Sequence, residues 1–476
     1  EIYTLSLHDA LPILAYRYLI RDLTIDTPEE YATLKSAFMG GFTHANAQHA
    51  CLNMENVGSI DLAADYPARI VLDYFPMSKA TYYPVLVDYA KIQDILNTKC
   101  CIFTISFHNI KPTVPFENIL SVHRVRFLEN QRDYIQNNGR LVACKGWIQT
   151  TLTEIDLEWV MKFYTFDDIE IKNLYTYERG YLPTELVQAV LDFYQKKTSL
   201  KGIDDKYVEY MVSKNMINST YGMMVTDIMR DNITYTQDGW HADKSISTGR
   251  LSKYNFNRKR FLFYPWGIYV TAHARSELYS AIMEFGDDYV YSDTDSIKGI
   301  NYDSHKNWIN NYNSNIITKI IDSALYHHLS HTLYMPKDKN GKTHPIGIFE
   351  YEGNMEVFRT CGAKRYIYWQ NGEFHMTVAG LGKYDGAKYL ESKYKTRANI
   401  LKHFDEGLTV PAGHTGKLTH TYIDAPRTGI ITDYQGKTAF YEELSGTHLE
   451  PAAFSMSMLD SYLDYLHGID EIIYTE

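Results

Sequence analysis

The stretch Tyr289-Val290-Tyr291-Ser292-Asp293-Thr294-Asp295-Ser296-Ile297 decides how this chain is read. Aromatic and β-branched residues flank an Asp-Thr-Asp core, the pattern of strand, tight turn and strand with carboxylates at the turn. Two aspartates one residue apart repel each other, and solvent or a divalent cation must offset that repulsion. Oxygen-only ligands favour a hard ion, Mg²⁺ or Mn²⁺, over zinc. An acidic surface turn shows the same short pattern, so the decision rests on the rest of the chain.

A length of 476 residues exceeds one ordinary domain, and about three are expected. The chain is 45% hydrophobic and 22% charged, a soluble globular balance that can bury a core. A net charge of −11 argues mildly against nucleic acid as a partner, although a basic channel can lie inside an acidic molecule. The cysteines Cys51, Cys100, Cys101, Cys144 and Cys361 form no C-x-x-C pair, which speaks against structural zinc or disulfides and suits a reducing compartment. No apolar run is long enough to span a membrane. The opening EIYTLSLHDALPI, Glu1 to Ile13, lacks the basic start and cleavage site of a signal peptide. It resembles a translated sequencing adapter, a genuine short element being the alternative. The expectation is that the natural protein begins further upstream.

Thr27-Pro28-Glu29-Glu30 is a helix start, and the helix should run to about Phe38 and stop at Gly40-Gly41. The glycine pair either ends the helix or allows a close backbone approach, as to a phosphodiester strand. In Ser59 to Pro67, Asp61 ends an apolar strand before a turn expected to have free amides, a seat for a metal-bound triphosphate. With Asp293 and Asp295 it could complete a two-metal carboxylate cluster. Residues 91–175 read as a β-rich insertion with a turn at Asn137-Asn138-Gly139 and no catalytic constellation. Two helices follow. Thr184 to Lys201 carries Lys197 and Lys201 on one face; Tyr207 to Tyr221 carries Lys214, Asn218 and Tyr221 on one face, with Gly222 as cap. Lysines suit phosphate oxygens and Tyr suits base or sugar stacking, while a solvated basic face is the other reading. A last helix, Tyr269 to Phe285, stops at Gly286 and leads into the opening hairpin.

Together these stretches resemble a family B DNA polymerase. Asp61 to Pro67 resembles D-x-x-S-L-Y-P, with Ala64 for Ser and Asp65 for Leu. Lys214 to Gly222 (KNMINSTYG) matches K-x-x-x-N-S-x-Y-G, Tyr291 to Ser296 (YSDTDS) matches Y-x-D-T-D-S, and Lys364-Arg365-Tyr366 matches K-x-Y, in the family's own order. Phe38-Met39-Gly40-Gly41 resembles the Y-x-G-G motif of protein-primed phage polymerases, with Phe38 for Tyr, and PWGIYVTAHAR also resembles those enzymes. The resemblance implies an α+β right-hand fold with palm, fingers and thumb. The corresponding division is 14–37 as the end of an exonuclease connection, 38–90 palm, 91–175 β-rich insertion, 176–222 fingers, 223–260 second insertion, 261–366 palm and 367–476 thumb. Two insertions at these places fit protein priming. The room before Phe38 cannot hold the family's 3′–5′ exonuclease, so proofreading is not expected of this chain.

The implied roles follow residue by residue. Asp61, Asp293 and Asp295 are catalytic, with Asp61 and Asp295 holding two Mg²⁺ ions, or Mn²⁺. Leu62, Lys197, Lys201, Lys214, Asn218 and Tyr221 bind the nucleotide, and Tyr66 is the steric gate against a ribose 2′-hydroxyl. Phe38, Gly40, Gly41, Ser219, Gly222, Thr294, Lys364, Arg365 and Tyr366 contact DNA. Asp65 brings an extra carboxylate near the triphosphate site and is expected to point away. The implied partners are primer–template DNA, dNTPs and a terminal priming protein, with no membrane, for a monomer in the cytoplasm of an infected bacterial host. The rival readings are an inert DNA-binding fragment of a truncated gene and another palm enzyme such as a reverse transcriptase, which the full second motif disfavours.

Overall fold

Thr27 opens the first long helix as its position predicts. Its hydroxyl accepts from the Glu30 amide, Pro28 takes the first position, and helix α1 runs Pro28–Ala37 with Phe38 as cap. The computed structural model describes residues 16–84, 89–129, 134–229, 232–236, 239–243, 247–423, 427–443, 446–458, 462–463 and 465–466. The expected adapter segment 1–13, and the last ten residues of the expected thumb, 467–476, lie outside them. The chain divides into two compact units, Glu1–Gln48 with Gly58–Gly353 and Asp464–Glu476, and His49–Val57 with Asn354–Leu463.

The first unit contains α1 and then strand β1 (Thr43–Ala45), strand β2 (Met54–Leu62, from Gly58 on), helix α2 (Asp65–Leu72), helices α3 (Thr184–Leu200), α4 (Tyr207–Met224) and α5 (Tyr264–Phe285), and strands β3 (Tyr289–Asp293) and β4 (Ser296–Gly299). The strands lie in the order β1, β3, β4, β2, all antiparallel. Tyr289 to Ser292 are buried without alternation, as befits a central strand covered on both faces. Two helix boundaries differ from the sequence reading. Helix α5 begins at Tyr264 rather than Tyr269, because Pro265 is tolerated in the first turn, where its missing N–H has no partner to lose. Helix α4 passes through Gly222 to Met224, whose buried side chain extends the packed face beyond the expected cap. Gly267 lets α5 lie against the end of α4. A Cβ there would fall 2.3 Å from Val225 Cγ1 and 3.0 Å from Met224 Cβ.

The insertion is a sheet ordered Thr81–Tyr83, Asp168–Tyr177, Cys100–Pro112, Arg140–Thr153 and Arg126–Phe127. It also contains helices Tyr89–Thr98 and Glu154–Phe163, which the alternation of apolar residues did not reveal. Asn138 and Gly139, at φ 46 and 82, turn Asn137 back onto Arg140. Such positive φ angles at both central residues suit a two-residue hairpin. Phe103, Ile105 and Phe163 of the insertion share one core with Ile60, Ile282 and Tyr289. The insertion therefore shares its core with β2, β3 and α5. A second core joins Tyr31 and Leu34 of α1 to Leu186, Met216 and Trp266. Among the described residues no helix is long and apolar enough to cross a membrane.

The second unit holds the later part of strand Phe349–Thr360, strands Arg365–Gln370 and Glu373–Val378, and helices Lys383–Tyr394 and Arg397–His403. Asn371-Gly372, at φ 52 and 77, closes the 365–378 hairpin. Beyond it, Leu418–Ile423 pairs with Gly446–Pro451 and Arg427–Thr432 with Thr438–Glu443.

Candidate active site

The register of β4 assembles the site. Ser296 pairs with Asp293 on one side and with Asp61 on the other, so carboxylates from two distant motifs lie on strands that flank one short central strand. Thr294, at the hairpin tip, has φ 63, a region that costs a β-branched residue about 1–3 kcal/mol. Its amide donates to Phe42 O at 2.7 Å, and the Asp295 amide donates to Asp293 O at 2.7 Å. These bonds hold the turn in place. Thr43, opposite Asp293 on β1, donates its hydroxyl to Asp293 Oδ1 at 2.9 Å.

The carboxylates oppose one another. Burial, then Asp295 and Glu352, push Asp61 up to about 8, against the pull of Lys298. Burial also raises Asp295 to about 6, with Asp293 and Glu352 adding to it and its own amide and Lys298 opposing. Buried Lys298, held to Ser296 Oγ at 3.1 Å, is itself pushed down by desolvation while Glu352, Asp61, Asp293 and Asp295 hold it up. Among the described residues these carboxylates form no group of three with oxygens all within 4.8 Å of one another. A buried all-oxygen set in which Asp61 and Asp295 are both raised suits a hard divalent cation, so the donors fit Mg²⁺.

Other expected residues lie on α2, α3 and α4 and at the end of α1. Lys197 on α3 is pushed down by burial and by Lys201 and Lys214, while Asp61 and Asp295 pull it up. Lys201 caps α3 and is exposed; Lys214, Asn218, Ser219, Tyr221 and Gly222 follow along α4, with Lys214, Asn218 and Gly222 exposed. Tyr66, in the first turn of α2, packs its ring on Tyr221 at 4.5 Å between centroids. Gly41 lies beneath both Tyr66 and the hairpin. A Cβ there would come within 2.8 Å of Tyr66 Oη and 2.7 Å of Thr294 Cγ2, so only glycine fits. Phe38 caps α1 and Gly40 is exposed.

Asp65 points away, as expected. It is buried, with Oδ1 3.2 Å from Arg69 Nε. The turn after Asp61 corrects the sequence reading in one respect. Its first amides are engaged, Leu62 N to Asp295 O at 2.8 Å and Ala63 N to Ile348 O at 2.9 Å. The Leu62 amide ties the Asp61 strand to the Asp295 turn and the Ala63 amide ties it to Ile348, so Leu62 offers no free amide to a phosphate. Lys364, Arg365 and Tyr366 belong to the second unit. Lys364 is exposed at φ 53, Arg365 Nη1 donates to Ser457 O at 2.7 Å, and Tyr366 is buried.

Several supporting residues escaped the sequence reading. Alternation along Ser296-Ile297-Lys298 could have placed Lys298 on the side of Ser296. Glu117 and Asp156 could not have been found, because the β-like pattern of the insertion carried no catalytic constellation. Glu117 is fully buried, 2.7 Å from His44 Nδ1, and accepts the Tyr289 hydroxyl at 2.9 Å; that hydroxyl also meets Ser292 Oγ at 2.9 Å. One carboxylate thus ties β1 to β3, the strand that ends in Asp293. Asp156 grips Arg275 through both oxygens, at 2.7 and 3.0 Å, and Arg275 Nη1 donates to Met39 O at 2.6 Å and Gly40 O at 3.1 Å. That pair seats the Phe38-Met39-Gly40-Gly41 loop.

This architecture is a right-hand polymerase fold, and solved structures share it. Phi29 DNA polymerase in its ternary complex with primer–template DNA and incoming nucleotide matches at TM-score 0.60 and 15% identity, over 94% of this chain and 66% of that one. Its post-translocation binary complex with primer–template DNA matches at TM-score 0.61 and 14% identity, over 95% and 66%. Its complex with single-stranded DNA matches at 0.57 and 14% identity, over 95% and 66%. This chain therefore spans just under two thirds of the length of those polymerase chains. No known family profile matches the sequence, and no curated protein does.

Proposed function

We propose that this chain is a DNA-templated DNA polymerase of family B, related to the protein-primed phage enzymes, that extends a primer 3′-hydroxyl with dNTPs. One observation carries the reading: the β4 register places Asp61 and Asp293 on either side of Ser296, with Asp295 in the turn between β3 and β4. Asp61 and Asp295 would hold two Mg²⁺ ions. Bound there, the ions would activate the primer hydroxyl and offset charge on the departing pyrophosphate. Lys197, with Lys201 and Lys214, would neutralise the triphosphate; Tyr66, braced by Tyr221 and Gly41, would exclude a ribose 2′-hydroxyl. Asn218 would shape the base-pair pocket, and Lys364 and Tyr366 would hold the primer end. The partners are primer–template DNA, dNTPs and a terminal protein, for a monomer in the cytoplasm of an infected bacterium.

The test is primer extension by the full chain with Mg²⁺ and dNTPs. Extension that Asp61→Ala abolishes supports the reading. Tight primer–template binding without extension would replace it with an inert DNA-binding fragment.

A further inference from the structure

Cys51 and Cys361 stand 310 residues apart in the sequence and together in the second unit. The Cys51 amide donates to Thr360 O at 2.7 Å, so the backbone at residue 51 runs beside the backbone at 360–361. That adjacency suits the about 4.4–6.8 Å between Cα atoms that a disulfide spans. Cys51 Sγ, Cys361 Sγ and an Asp405 oxygen all lie within 4.8 Å of one another. Cys361 is buried, with its sulfur 3.5 Å from Phe404 O, whereas Cys51 is partly exposed. Residue 51 is therefore the more accessible of the two.

The surroundings favour a thiol pair over a metal centre. Asp405 is already committed: Oδ2 sits 2.5 Å from Arg359 Nη2, and Oδ1 accepts the Glu406 amide at 2.9 Å. Arg359 also donates to Cys51 O and to Phe404 O, which fixes its positive charge beside the sulfurs. A divalent cation would have to displace or repel that guanidinium. A thiolate gains from it. The Cys51 thiol is held below its usual range, first by the hydrogen bond from Cys361 and further by Arg359, although burial and Asp405 oppose; Cys361 is correspondingly pushed up.

We propose that Cys51 and Cys361 are a peroxide-oxidisable dithiol, with Cys51 as the attacking sulfur and Cys361 as the resolving one. The Cys51 thiolate attacks a peroxide oxygen, the O–O bond breaks, and the hydroxide released takes up a proton to become water. The Cys361 sulfur then attacks the Cys51 sulfenic acid. The S–S bond forms, the S–O bond breaks, and the hydroxyl leaves as water with the Cys361 proton. Two thiols lose two electrons and one hydrogen peroxide becomes two waters. The bridge would staple residue 51, three positions before the strand that carries Asp61, to residue 361, three positions before Lys364.

The experiment treats the reduced full chain with hydrogen peroxide, blocks remaining thiols with N-ethylmaleimide and maps the peptides by mass. The expected result is a Cys51–Cys361 cross-linked peptide, formed at least about tenfold faster than any change at Cys100, Cys101 or Cys144, as access and thiolate character dictate. In Cys361→Ser, dimedone should label Cys51; in Cys51→Ser, it should leave Cys361 unlabelled. These single-atom changes keep the fold testable by circular dichroism. No cross-link, or labelling of Cys361 in Cys51→Ser, overturns the proposal. One equivalent of Zn²⁺ retained by the chain, lost in Cys51→Ser and shielding both thiols from peroxide, also overturns it and makes the site a metal centre.

Discussion

Two acidic clusters lie on either side of the turn between β2 and α2, and their contrast separates structure from chemistry. Beneath α2, Arg69 is fully buried and meets Asp65 at 3.2 Å, Asp73 at 3.2 Å and Glu277 at 2.6 Å. Lys319 joins Asp73 at 3.2 Å and Glu277 at 3.3 Å. At the hairpin, Asp61, Asp293, Asp295 and Glu352 have buried Lys298 among them, with Lys197 facing from α3. In the first cluster the paired Asp73 is held well below the ordinary carboxylate range by Lys319 and Arg69, despite its burial. In the second, Asp61 is driven up by burial and by its neighbours. The chain supplies Asp73 with cations of its own, whereas at the hairpin burial and the neighbouring carboxylates outweigh Lys298 in setting Asp61.

The contrast can be broken or sharpened by experiment. The largest effect is expected from Arg69→Met, which leaves three carboxylates without their central partner. Denaturant unfolding should show a loss of about 3–5 kcal/mol, the cost of uncovering a buried charge; a loss below about 1 kcal/mol would mean that the cluster does not hold the palm together. Next comes Asp295→Asn. Turnover in primer extension should fall by roughly 10²–10³, the scale of one lost transition-state contact, with the melting temperature little changed. Retained turnover would remove Asp295 from the metal site. Third, Mg²⁺ at about 100 times its dissociation constant should stabilise the wild-type chain by about 2.7 kcal/mol. Asp61→Asn should lose most of that gain, and an equal gain in both would detach the metal from this cluster.

The smallest effect concerns pH. Burial, partly offset by Arg69, raises Asp65 to about 7 in the folded chain from an ordinary 3.8. Its contribution is fully present below about pH 3.8 and is lost as pH rises towards 7, because the unfolded chain ionises first. Stability should fall by at most about 1.4 kcal/mol per pH unit within that window, and Asp65→Asn should flatten the slope. An unchanged slope in the variant would show that Arg69 keeps Asp65 ionised throughout.

Much of this was legible in the residues. Local signals are short-range physics: Thr27 and Pro28 set a helix start, Asn138-Gly139 a hairpin, and Asp-Thr-Asp a carboxylate turn. The resemblance extended them to a right-hand polymerase fold, and the fold agrees. The missed parts were those that depend on a partner far along the chain. Helices Tyr89–Thr98 and Glu154–Phe163 sit in a segment that reads as β because its strands alternate more clearly than its helices. Gly222 reads as a cap until Met224 is seen to be buried beyond it.

By itself, the sequence determined which chemistry is available: acidic residues at one turn, lysines on two helices, and a tyrosine in the first turn of α2. Only the tertiary structure decided which charges meet. It placed Asp61 beside Ser296 and Asp65 beside Arg69, one residue type put to two uses four positions apart. It brought Glu117 beneath the strands of Asp293 and set Cys51 against Cys361. The reason is range. Dihedral preference and periodicity act over a few residues, whereas electrostatic shifts and burial depend on distance in space, which no spacing in the chain records.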